Sequence, residues 1–268
     1  MSWPPGPALL FCPADRPERF AKAADRADLV LLDLEDGVAA ADKGAAREAL
    51  RSTPLDPART VVRVNPAGTE DFRRDLAALA GTNYRTVMLA KTESAEHVLA
   101  LAPYEVVALC ETPAGVVAAP QIAAAAGTLA LMWGAEDLVA ALGGRSSRHA
   151  DGTYRDVPRT ARAQVLLAAG AAGKPAVDAV HLDIADLDGL RGEAEDGVAS
   201  GFSATACIHP SQVEVVRAAY RPSEDELAWA RRVLDAAASE RGVFALDGQM
   251  VDAPVLRHAE AVLARAAS

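Results

Sequence analysis

The chain has 268 residues, 51% of them apolar, which is enough to bury a large core in one or two domains. Its net charge of −10 and isoelectric point of about 5.0 exclude a general affinity for nucleic acid or for an anionic membrane surface. What charge does not exclude is a local basic pocket for a phosphorylated small molecule.

In chain order, the N-terminal MSWPPGPALLFCP lacks a basic lead-in, and prolines break its short apolar run. Neither a signal peptide nor a membrane span is expected. Short leucine-rich or β-branched runs then recur: ALLFCPA (8–14), LVLLDLE (29–35), TVVRVN (60–65), TVMLAK (86–91), VVALCE (106–111), LALMWGAE (129–136), AVHLDI (179–184) and ATACIHP (204–210). They show little polar alternation, as strands buried on both faces do in parallel sheets. Alanine-rich segments of helical character separate them. Asp15 with Glu18, and Ser211 with Glu214, read as capping boxes that open two of these helices. Eight strand–helix units predict a (β/α)8 TIM barrel over residues 1–220, in preference to a doubly wound sheet. Ser223 and Glu226 cap a further helix over 223–241. An extended piece over 242–254 and a last helix over 255–267 follow. Residues 221–268 thus read as a small C-terminal helical extension, too short for a core of its own, that docks on the barrel or on a neighbouring subunit. Cys12, Cys110 and Cys207 lie far apart in apolar runs with no CxxC pair, which predicts reduced, buried thiols in a cytoplasmic protein.

In a barrel the active site is built at the C-terminal ends of the strands. Asp15 and Arg16 follow the first strand, Glu35 and Asp36 the second, and Arg63 and Asn65 end the third. Lys91, Glu111, Glu136 with Asp137, and His209 close the fourth, fifth, sixth and eighth. Converging carboxylates suit a hard divalent cation such as Mg2+, which keeps water and substrate among its ligands. Arg63 is placed to hold a substrate carboxylate in a bidentate fork. Each of these acids also has a structural reading, as a helix cap or an ion-pair partner. Asp33, deeper in its strand, reads as structural, and His209 reads as a satisfied core histidine slightly better than as a catalytic one. The loop Gly143–Pro158 is long for a barrel; it reads as a binding loop whose Arg145, Arg148 and Arg155 meet phosphates, or equally as a solvated surface loop. Asp252, just before Ala253 and Pro254, reads on local grounds as a helix cap.

The ordered motifs FCPADRPERFAKA, LDLEDGV, VVRVNP, ALCETPAGV, WGAEDL, CIHPSQV and DGQMVDAPV, spread over about residues 8–266, resemble the citrate lyase β-subunit-like enzymes of the malyl-CoA/citramalyl-CoA lyase group. These belong to the HpcH/HpaI aldolase/citrate lyase family, and the likeness is greatest to the free-standing actinobacterial proteins. The resemblance implies a Mg2+- or Mn2+-dependent lyase in which Glu111 and Asp137 ligate the metal and Glu35 and Asp36 orient its waters. It implies that Arg63 binds the substrate carboxylate, that Arg16 and Lys22 lie near CoA phosphates, and that Lys91 belongs to the substrate-binding set. Asp252 becomes the acid/base, delivered from the adjacent subunit of a homotrimer or hexamer, which displaces the capping reading. The lysine commonly follows proline in the family and follows alanine here, as LAK. The implied reaction splits a carboxylated 3-hydroxyacyl-CoA (citramalyl-CoA, malyl-CoA or 3-hydroxy-3-methylglutaryl-CoA) into acetyl-CoA and an oxo acid. Alternatives are a malyl-CoA thioesterase with malate-synthase-like hydrolysis, and the β subunit of a citrate lyase complex.

Overall fold

A computed structural model describes residues 3–240 and 242–266. Eight parallel strands close into a barrel: β1 (Ala8–Pro13), β2 (Leu29–Asp33), β3 (Thr60–Val64), β4 (Thr86–Leu89), β5 (Glu105–Cys110), β6 (Thr128–Trp133), β7 (Ala176–Asp178) and β8 (Ala204–Cys207). Each pairs with the next, and β8 returns to β1 through Ala8–Thr205 and Leu10–Cys207. After successive strands come the helices α1 (Phe20–Arg26), α2 (Lys43–Ser52), α3 (Glu70–Leu79), α4 (Ala95–Leu99), α5 (Pro113–Val117) and α6 (Ala119–Ala124). The second half adds α7 (Ala135–Ala141), α8 (Asp156–Ala171), α9 (Leu187–Ser200) and α10 (Pro210–Tyr220). This is the expected (β/α)8 TIM barrel.

Strand alternation sorts the apolar residues into two layers. Leu29 with Leu31, Val107 with Leu109, and Ala130 with Met132 fill the barrel interior, while the residues between them face the helices. Helices complete the outer layer by burying one stripe, as α2 does with Ala46, Ala49 and Leu50. Because these side chains are fully buried, a truncation such as Leu31→Ala costs about 2–5 kcal/mol.

Three local expectations are corrected. The seventh strand is Ala176–Asp178, ahead of the expected 179–184. Asp178 ends it, and burial of this acid is tolerated because its carboxylate accepts from Trp133 Nε1 at 2.6 Å and from Arg162 Nη2 at 2.6 Å. The Asp15 box does not form: a 3-10 turn, Pro17–Arg19, precedes α1 with no side-chain cap, and Asp15 pairs with Arg16. Helix α10 begins at Pro210, so Ser211 lies inside its first turn.

The chain divides into two compact units at Val216/Arg217, within α10. The second unit contains α11 (Glu224–Ala237), the antiparallel pair β9 (Phe244–Leu246) and β10 (Gln249–Val251), and α12 (Ala253–Ala266). The expected capping box forms, with Ser223 Oγ accepting from Glu226 N and Glu226 Oε2 accepting from Ser223 N. Asp247 and Gly248, at φ 52° and 78°, give the tight turn that antiparallel strands of right-handed twist require. Against expectation, this unit buries a small core of its own, with Ala230, Val233, Val251, Ala259 and Val262 closed off between two amphipathic helices and the hairpin. Helix α11 ends at Ala237, short of the expected end at Arg241; Arg241 and the other expected end, Ala267, fall outside the described residues.

Candidate active site

The apolar run of β2 closes on Asp33, which lies directly beside Arg63 of β3 in the ladder register. Asp33 is buried and Arg63 half-buried, and they form a side-on pair with Arg63 Nε to Oδ1 and Nη2 to Oδ2 at 2.6 Å each. Past the strand end the chain turns sharply, and Asp33 also accepts the backbone N–H groups of Glu35 and Gly37 at 2.8 Å. That turn aims Glu35 inward, where its Oε2 lies 3.2 Å from Arg63 Nη1. The Arg63 guanidinium stacks on Phe11 of β1 with 4.8 Å to the ring centroid.

From the next strands come Lys91, Glu111 and Asp137. Lys91 follows β4 in a left-handed conformation, φ 49°, that side-chain-bearing residues rarely adopt. This conformation lets its N–H donate to Glu111 Oε1 at 3.1 Å while its ammonium reaches back across the mouth. There Nζ donates to Glu35 Oε1 and to Asp36 Oδ2 at 3.1 Å, and lies 3.3 Å from Asp137 Oδ1. Glu111 is buried where β5 passes into α5, and Asp137 stands half exposed in the first turn of α7. The structure therefore brings Arg63, Glu35, Asp36, Lys91, Glu111 and Asp137 together from five consecutive strand ends.

Electrostatics follow from this crowding. Burial and the nearby Asp137 carboxylate push Glu111 up to about 8. Glu35 is likewise raised by burial, against the pull of Arg63 and Lys91. Burial works against Asp36 too, but the Lys91 ammonium prevails and holds it below the usual carboxylate range. Lys91 and Arg63 are raised despite burial, because Glu35 and Asp33 favour their charged forms.

Five carboxylates, counting Asp33, face two cations, so ionising every group leaves three negative charges unbalanced. Lys91 Nζ already sits at the point where three of the acids converge. Among the described residues no group of three or more His, Cys, Asp or Glu side chains forms a ready cage for a metal. The donor set is all oxygen and supplies one carboxylate from β5 and one from α7, which fits a hydrated Mg2+ and not a structural zinc. Gly134 makes the close approach feasible, since a Cβ there would stand 2.9 Å from Glu111 Oε2.

Arg16 is exposed after β1 and pairs with Asp15 at 3.3 Å, and Lys22 is exposed on α1. Asp252 belongs to the second unit, where its Oδ1 accepts from Val255 N at 3.3 Å and caps α12. His209 is exposed and not a core residue; its Nδ1 accepts from Ser211 N, and its backbone N–H donates to the buried Gln212. Arg148 of the long loop is anchored: it pairs with Glu193 of α9 and stacks on Tyr154 at 3.9 Å. Sequence reading missed the neighbourhood this builds. A cavity of about 780 Å3 lies there, lined by Glu136, Arg148, Tyr154, Asp178, His181 and Glu193. Its residues are spread over more than 50 positions, with no local motif to join them.

The HpcH/HpaI aldolase/citrate lyase family profile matches residues 8–210. Over 261 residues the chain is 67% identical to a citrate lyase subunit beta-like protein of Mycobacterium tuberculosis, covering 97% of this chain and 96% of that one. It is 34% identical to a (3S)-malyl-CoA thioesterase of Cereibacter sphaeroides, covering 97% and 94%. Among solved structures, CitE of M. tuberculosis in complex with magnesium, acetoacetate and coenzyme A superposes with a TM-score of 0.95 at 66% identity, covering 99% of each chain. Among the described residues, no helix is long and apolar enough to cross a membrane.

Proposed function

The chain belongs to the HpcH/HpaI aldolase/citrate lyase family, a family of carbon–carbon lyases, and on that premise we propose that it is a Mg2+-dependent lyase of CoA thioesters. Its substrate is a 3-hydroxyacyl-CoA bearing a second carboxylate, cleaved to acetyl-CoA and an oxo acid. The observation that carries this reading is the convergence of Glu111 and Asp137 with Arg63 and Lys91 at one barrel mouth. The acetoacetate, magnesium and coenzyme A held by the mycobacterial relative support it; acetoacetate and the pyruvate held in a second structure of that relative are the oxo acids expected from 3-hydroxy-3-methylglutaryl-CoA and from citramalyl-CoA.

Glu111 and Asp137 would hold the metal, with Glu35 and Asp36 orienting its waters. Bound there, the cation supplies Lewis acidity towards the substrate oxygens. Arg63 binds the substrate carboxylate, and its positive charge also favours the oxygen that becomes the keto group. A base takes the hydroxyl proton, the C–C bond breaks, its electron pair moves onto the thioester carbonyl as an enolate, and proton return gives acetyl-CoA. Asp252 serves one of these proton transfers from a neighbouring subunit of a cytoplasmic homotrimer or hexamer. Arg16 and Lys22, both exposed cations after β1, meet the CoA phosphates. Mn2+ replaces Mg2+ in the same oxygen site.

The test is product analysis by mass spectrometry after incubation with Mg2+ and citramalyl-CoA, malyl-CoA or either enantiomer of 3-hydroxy-3-methylglutaryl-CoA. Metal-dependent acetyl-CoA and an oxo acid, abolished by EDTA and by Asp252→Ala, are expected. Free CoA with an intact hydroxy diacid makes the protein a thioesterase. No turnover of any of them makes it a subunit that requires a citrate lyase complex.

A further inference from the structure

We propose that Asp33, which no substrate or metal need touch, is a positioning residue for this reaction. One buried carboxylate fixes both the plane of the Arg63 guanidinium and the turn that carries Glu35 and Asp36. The inference rests on the reading of Arg63 as the anchor for the substrate carboxylate.

The hydrogen-bond inventory makes the case. A guanidinium has five N–H donors in a rigid plane. Asp33 occupies the side-on edge through Nε and Nη2, both at 2.6 Å, so an incoming carboxylate meets the Nη1–Nη2 end, where Glu35 Oε2 already stands 3.2 Å from Nη1 and shares that end. Rotating Arg63 to use its side-on edge for substrate would strand a buried aspartate, so only the end-on approach is open. The same two oxygens accept the N–H groups of Glu35 and Gly37, Oδ1 from the first and Oδ2 from the second. Those bonds hold a turn that no ladder holds and direct Glu35 Oε1 to Lys91. Gly37 is part of the device: a Cβ there would stand 2.3 Å from Asp33 Oδ2. With its four lone-pair positions taken by these four donors, Asp33 is saturated and leaves nothing for a ligand. It therefore acts through Arg63 and Glu35.

The test is a double-substitution cycle on the purified protein, with folding of each variant checked by thermal melting. Asp33→Asn keeps the shape and removes the charge that aligns Arg63. It is expected to raise KM for the CoA thioester by roughly 10–100-fold, as loss of alignment does. It also raises the Mg2+ concentration needed for half-maximal rate, through the loosened Glu35 turn. In an Arg63→Ala background Asp33→Asn has little further effect on KM. A structural role gives the opposite pattern: the two KM losses then multiply to within about twofold, as independent effects do. That pattern, or a folded Asp33→Asn with wild-type KM, overturns the proposal. If Arg63→Ala alone leaves KM unchanged, the anchor reading fails instead. Should Asp33→Asn not fold, Gly37→Ala displaces the same carboxylate while keeping its charge. It must reproduce the rise in KM, and a wild-type KM there overturns the proposal.

Discussion

The backbone N–H of Lys91 donates to Glu111 Oε1 at 3.1 Å from a left-handed backbone, φ 49°, so one residue binds the buried acid with its main chain and bridges three other acids with its side chain. Lys91 thus holds together a cluster that would otherwise repel itself. Replacing it by methionine keeps much of the stem and removes the charge. The Lys91→Met variant is expected to lose about 1–2 kcal/mol without metal, which lowers its melting temperature by ~2–4 °C per kcal/mol. Added Mg2+ stabilises the variant more than the wild type, because the cation then offsets a larger charge imbalance. Thermal melts with and without Mg2+ check this; equal metal-induced shifts would count against the arrangement.

Glu35 gives a second test. It is 3% exposed, bonded to Lys91 and facing Arg63, and under the proposed function it would orient metal waters. Glu35→Gln keeps the shape and removes one charge, and it is expected to weaken metal binding ~10–100-fold while the fold persists. Titration with Mn2+, read by electron paramagnetic resonance, measures the affinity without any turnover.

These two residues show what the sequence makes legible. Glu35, Arg63, Lys91, Glu111 and Asp137 all sit where an apolar run meets a polar residue, and a barrel places every such end at one mouth. The same logic read Asp33 as structural but could not name Arg63 as its partner, because a bond between neighbouring strands 30 residues apart leaves no local trace. It set β7 at 179–184, whereas the strand ends at Asp178, whose carboxylate is satisfied by the sequence-distant Trp133 and Arg162. The core of the second unit was unreadable for a related reason: five small or branched residues bury completely only once the hairpin closes two helices over them.

Gly134 tests the packing around the acid. Its backbone is extended, φ −138° and ψ 131°, so an added methyl meets no conformational penalty. The obstacle is Glu111, whose Cβ and Oε2 would each stand 2.9 Å from the new carbon. Gly134→Ala is expected to fold and to lose on the order of 100-fold in kcat/KM by displacing the carboxylate. Gly170→Ala, in α8 with open space around the new Cβ, is the control; it leaves activity unchanged and gains about 0.5–1 kcal/mol of stability.

The last prediction concerns pH and the His181–Glu193 pair. His181 is 8% exposed at its side chain, and its Nδ1 lies 2.9 Å from Glu193 Oε2. The bond to Glu193 raises His181 above its ordinary 6.5. A raised histidine contributes fully below its unfolded value, and that contribution disappears as pH climbs through the folded value. Glu193 behaves in the opposite sense. Burial alone would raise it, but His181 and Arg148 hold it below its ordinary 4.5, so its contribution is present above that value and is lost as pH falls through the lower folded one. The pair therefore stabilises most between the two ordinary values, in mildly acidic solution. Melting temperatures of the wild type and of His181→Gln, taken across pH, are expected to differ most near pH 5–6 and to converge above neutrality, roughly where a raised imidazole loses its proton. A gap that widens with rising pH would mean that the imidazole is held in its neutral form, and that Glu193 is charged for the sake of Arg148 alone.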